Sequence, residues 1–192
     1  MRRHAARPEY MMNQRLMRLT LLAAFLCLHG AGRAARVLEF VANYGQAATT
    51  DAHPCPDVLF TARTGGLHVF FRQAGLSYVT IQPGLCRFDV NLLHSAAAPR
   101  PNSTPVAHSS YYLGHCPGGV ARAPHYGSII YRDVYPNIDW VFYAAPDGAL
   151  KHDFIVRPGG RVADIRLQYV AATPALLPDG GLTIPTPAGP LT

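Results

Sequence analysis

From Val58 to Pro185 the chain is a succession of short segments in which apolar and polar residues alternate, each cut off by Gly, Pro, Asn or Asp. A two-residue period places apolar side chains on one face of an extended strand and polar ones on the other. "VLFTA" (58–62) and "LHVFF" (67–71) flank Arg63-Thr64-Gly65-Gly66 and read as a hairpin. "LSYVTI" (76–81), "RFDVNLL" (87–93), "GSIIYRDV" (127–134), "IDWVFY" (138–143), "LKHDFIV" (150–156), "DIRLQYV" (164–170) and "GLTIP" (181–185) continue the series. No long stretch carries a helical period. Short strands at this spacing predict an all-β, antiparallel, sandwich-like domain. The segment His94–Ser109, "HSAAAPRPNSTPVAHS", breaks the series. Its Ala, Pro and Ser content offers little to a core, so it is read as a surface loop within the domain. Asn102-Ser103-Thr104 inside it has the form of a glycosylation sequon.

Charge is unevenly placed. The formal net charge is +6, yet residues 1–35 hold six arginines (Arg2, Arg3, Arg7, Arg15, Arg18, Arg33) against Glu9 alone. The remaining 11 basic and 10 acidic residues nearly cancel, which leaves no electrostatic footprint for a nucleic acid. Behind the arginines comes an apolar run, "LTLLAAFLCLHGAG" (19–32), and then small residues. That order reads as a secretory signal peptide, residues 1–35, with cleavage after Ala34 or Ala35. The run is too short for a stable transmembrane anchor. Translation starting at Met12 or Met17 would shorten the charged part. The expected organisation is a signal over 1–35 and a β-domain over 36–192, placing the product outside the cell or on its surface.

Export would leave Cys55, Cys86 and Cys116, enough for one disulfide and one free thiol. The sequence does not choose the pairing. A zinc site built from these with a histidine such as His115 lacks CxxC or HxxxH spacing. GxSxG, HExxH, P-loop and GxGxxG motifs are absent.

The chemistry-bearing candidates are Asp139 and Asp153, on either side of Pro146-Asp147-Gly148. Taking residues 144–148 as the turn pairs Phe142 with Leu150, Trp140 with His152 and Ile138 with Phe154. It also sets Asp139 opposite Asp153. Like charges so placed repel and need relief. Three roles are open: a glycoside-hydrolase carboxylate pair, two ligands of a calcium ion, or structural acceptors for backbone N–H groups and for Lys151, Arg132 or Arg166. The third asks least of the rest of the sequence and is the expectation. His152 is expected against Trp140. Tyr111, Tyr112, Tyr126, Tyr131, Tyr135 and Tyr143 would suit a strip for stacking glycans, or simply strands.

Several segments in order resemble a known family. "FVANYGQ" (40–46), "DVLFTARTGGLHVFFRQAGLSYV" (57–79), "YYLGH" (111–115), "YRDVYPNIDWVFY" (131–143), "LKHDFIVRPGGRVADIRLQY" (150–169) and "DGGLTIPTPAGPL" (179–191) look like the motifs of the uncharacterised N-terminal domain that precedes SBBP-type β-propeller repeats in secreted bacterial surface proteins. Cys116-Pro117-Gly118-Gly119 departs from its usual polar residues. The resemblance implies a secreted β-module with no assigned enzymatic activity, acting as a structural or adhesive part of a surface protein. It implies downstream β-propeller repeats as partners, so that Thr192 would end a fragment. It also implies that Asp139 and Asp153 belong to the fold's signature. Surface glycans or proteins are further candidate partners. The alternative is an extracellular carbohydrate- or calcium-binding domain using the two aspartates, and more distantly a glycoside hydrolase.

Overall fold

The computed structural model describes residues 38–80, 84–187 and 189–191. The expected signal peptide and its cleavage site lie outside them. The described chain is a β-structure without an α-helix; one 3-10 turn covers Val162–Asp164. No described helix is long and apolar enough to cross a membrane.

Eight strands form the larger sheet. They are β1 (Phe40–Ala42), β2 (Val58–Thr64), β3 (Leu67–Arg72), β4 (Gly75–Thr80), β5 (Cys86–Leu92), β7 (Pro105–Leu113), β8 (Cys116–Tyr126) and β12 (Leu167–Val170), in the order β12-β5-β4-β3-β2-β1-β8-β7. Four strands form the smaller sheet, β6 (Pro99–Pro101), β9 (Ser128–Tyr135), β10 (Ile138–Ala144) and β11 (Leu150–Val156), in the order β11-β10-β9-β6. A two-stranded ribbon pairs β13 (Ala175–Leu176) with β14 (Leu182–Thr183). Every pairing is antiparallel. The alternating segments become strands because each has one apolar face to bury. Phe60, Ala62, Val69, Phe71, Leu76, Phe88 and Val90 turn that face toward Ile129, Tyr131, Trp140 and Phe142. Phe71 bridges the layers, edge-on to Phe40 of β1 at 5.5 Å and to Phe142 of β10 at 4.9 Å.

The segment 94–109, expected to be a surface loop, carries strand residues instead. Pro99–Pro101 forms β6 beside β9, and Pro105 opens β7 beside β8. Both are edge strands, where a missing N–H faces solvent and a proline breaks no ladder. Composition therefore conceals two strands and the crossing between the sheets. "CPGGVARAPHY", which lies outside the alternating segments of the sequence, is the eleven-residue β8.

Candidate functional site

The hairpin that carries the aspartates has a different register from the one expected. Ala144 pairs with Leu150, Phe142 with His152, Trp140 with Phe154, and Ile138 with Val156. The loop is residues 145–149, closed by Ala145 N–H to Ala149 O (2.8 Å) and Gly148 N–H to Ala145 O (2.9 Å). Ala149 stays in the loop because the Asp147 carboxylate takes its N–H at 2.9 Å. Gly148, with φ +82°, stands one place before the loop's end rather than at it. Moving the loop by one residue moves every pair by two, so faces are kept and partners change. Asp139 therefore faces Ile155, and Asp153 faces Val141. The two expected site residues are not opposed.

Asp139 is only 3% exposed. A bulge between Ile138 and Trp140 brings its carboxylate back over β9. There it accepts the Asp133 N–H at 2.8 Å, Arg157 Nη1 at 2.6 Å and Arg132 Nη1 at 3.5 Å. Arg157 also bonds Asp133 through Nη2. Asp133 and Asn137 both adopt positive φ, +47° and +61°, to make this turn. Asp139 thus has a like-charged neighbour with a cation between, but the neighbour is Asp133. Arg132 is a partner as expected. Lys151 and Arg166 are not among its bonds, and Arg157 was not foreseen. Once Asp139 is known to face Ile155, Arg157 follows two residues along on the same face of the strand's continuation, so the register was the missing signal. Asp153 lies exposed and accepts the Tyr143 hydroxyl at 2.8 Å. Beside the ion cluster runs an open groove of about 560 Å³, lined by His94, Ala97, Arg132, Asp133 and Pro136.

The tyrosines do not form one strip. Tyr131 is fully buried, and its hydroxyl meets the carbonyls of Arg72 (3.0 Å) and Gly75 (2.9 Å), latching the small sheet to the β3–β4 turn. The Tyr135 hydroxyl meets the carbonyls of Leu93 (2.9 Å) and Arg166 (2.8 Å). Tyr111, Tyr112 and Tyr126 belong to the other sheet, with Tyr112 88% exposed.

The "NYGQ" motif is a stitched loop. Asn43 Nδ2 donates to Cys55 O (3.1 Å) and Val58 O (2.8 Å), while its Oδ1 accepts Gly45 N–H (3.1 Å) and Ala47 N–H (2.9 Å).

His152 contacts Trp140 as expected, but diagonally. Trp140 Nε1–H donates to His152 Nδ1 at 3.1 Å, while the indole stacks on Phe154 at 5.1 Å. His125 Nδ1 lies 2.6 Å from Glu39 Oε2. Cys55, Cys86 and Cys116 are all free thiols, so the expected disulfide is not formed. Cys86 opens β5 and Cys116 opens β8, with four strands between those two in the sheet; Cys55 lies in the loop before β2. His115 Nε2 lies 3.3 Å from Gln46 O, and no group of three or more His, Cys, Asp or Glu side chains converges among the described residues.

Fold and site together define an all-β sandwich domain whose motif side chains lock strand ends and turns. The chain belongs to a family described as a domain of unknown function, DUF7948, which matches residues 40–192. The match opens at the first residue of β1. No curated protein and no solved structure matches the chain.

Proposed function

We propose that this domain is a non-catalytic structural or adhesive module of a secreted or cell-surface protein, standing ahead of β-propeller repeats. The observation that supports this reading is the use made of the polar motif residues. Asn43, Tyr131, Tyr135 and Asp139 have their side-chain polar atoms committed to backbone groups or guanidinium groups of the domain itself. Such bonds fix a shape, and fixing a shape is what a module that holds or presents other surfaces requires. Protease treatment of intact cells expressing the chain, followed by peptide mass spectrometry, tests the placement. Release of peptides from residues 38–192 is expected. A chain wholly protected inside the cell overturns the reading.

A second reading has one observation in its favour. Asp153 and Tyr143 stand side by side on the outer face of β10 and β11, a carboxylate beside an aromatic ring, which is a pairing suited to a sugar or, with further oxygens, to calcium. Calorimetric titration with calcium and with glycans, repeated on Asp153→Asn and Tyr143→Ala, tests it. Binding that both variants abolish supports this reading over the first.

A further inference from the structure

The two main sheets present four edges, and three of them are blunted. β6 is three residues long with two prolines. β7 opens on Pro105 and shifts register three times against β8. β12 is four residues long. These are the usual devices by which a sheet edge avoids pairing with another chain. β11 has none of the three: it runs seven residues, Leu150–Val156, without proline or glycine and in unbroken register with β10. Among the described residues no strand pairs with its outer side. Ile155 and Val156 on it are 47% and 38% exposed.

One edge-guarding residue is present, Lys151, the chain's only lysine. Two residues on, facing the same side, is Asp153. This spacing selects a partner. If a second β11 pairs antiparallel about His152, Lys151 of each copy stands opposite Asp153 of the other, and Leu150 opposite Phe154. Pairing about Asp153 instead would overlap more residues but set two carboxylates directly against each other, which is destabilising. A register with the axis between two residues would bring the apolar face of one copy beside the polar face of the other.

We propose that β11 is a self-association edge: two copies of this chain join through antiparallel β11 strands centred on His152, merging their four-stranded sheets. Lys151 and Asp153 form two symmetric ion pairs across the junction. The inference rests on the edge geometry and stands whether or not the surface-module reading does.

The charges give the test. Sedimentation of the full chain over a concentration series is expected to show a monomer–dimer equilibrium. Lys151→Asp or Asp153→Lys alone sets like charges opposite one another twice and is expected to weaken the dimer by about tenfold or more. The double variant Lys151→Asp/Asp153→Lys restores opposite charges at both positions and is expected to recover dimerisation. Both residues are exposed, and fluorescence of Trp140 checks that each variant is folded. Carbodiimide treatment, which condenses an amine with a carboxyl, should yield a dimer whose cross-linked peptide joins Lys151 to Asp153 of the other copy. A wild-type chain that stays monomeric, single variants that associate as well as wild type, or a double variant no better than the singles would each overturn the proposal. Pairing through another segment, seen as a dimer cross-linked elsewhere, would overturn it as well.

Discussion

At the scale of single residues, Asp139 and Asp153 show how little a residue type says without its surroundings. Asp139 is buried and holds three donors; Asp153 is exposed and holds one. Asp139→Asn keeps an acceptor for the Asp133 N–H but leaves Arg157 without its buried carboxylate. Because both arginines reach solvent, the loss is expected to be about 2 kcal/mol, in the range of hydrogen bonds to charged groups. Asp153→Asn should change stability by less than about 0.5 kcal/mol. Urea denaturation of the two variants checks the contrast, and equal effects would mean that the ion cluster does not hold the turn. Tyr131→Phe removes one hydroxyl from two buried carbonyls and should cost about 1–2 kcal/mol. The same titration, followed through Trp140, checks it.

At the scale of elements, the β10–β11 pair carries a pH dependence. Trp140 is buried, and its N–H needs the acceptor that His152 Nδ1 supplies. A protonated imidazole has an N–H there instead, so two donors would face each other. Desolvation of the ring lowers the His152 pKa, with Asp153 opposing and Lys151 assisting. The unfolded chain then takes up the proton first, near the ordinary imidazole value of about 6.5. Stability is therefore full above that pH and declines as the pH falls from there through the lowered folded-state value. Denaturation midpoints between pH 7.5 and 5, compared with those of His152→Gln, check this: the variant should lose much of the slope. The hairpins of this layer were legible in the sequence because alternation and a Pro-Asp-Gly turn leave little choice. The register was not, since five-residue loops starting at Ala144 or at Ala145 both satisfy Gly148. The one-residue difference decided which side chain stood beside Asp139. The strands at 99–101 and 105–113 were hidden because sequence patterns treat proline as a breaker, whereas a sheet edge tolerates it. Asn43 was recognisable as part of a motif, but two of its four bonds reach Cys55 and Val58, more than ten residues away, and those two have no local signature.

At the scale of the whole molecule, the larger sheet is two blocks joined by one short strand. β2 to β5 with β12 form one block and the β7–β8 hairpin the other, and among the described residues only β1, Phe40–Ala42, pairs with both. A chain lacking residues 1–47 should therefore lose the union of the blocks as well as a strand, and far-ultraviolet circular dichroism with proteolysis should find the β7–β8 hairpin cleaved first. β1 also comes early in the chain, while its β8 partner lies some eighty residues on, so the sheet closes only late in synthesis. In the shortened chain the place of β1, between β2 and β8, is an open slot with a defined sequence requirement. A separate peptide covering Phe40–Gln46 should occupy that slot in the shortened chain and restore protection of the hairpin, as a donated strand completes a sheet in trans. β1 is thus a keystone that is chemically transferable: the domain could be split there, and its assembly made to depend on whichever molecule carries those seven residues.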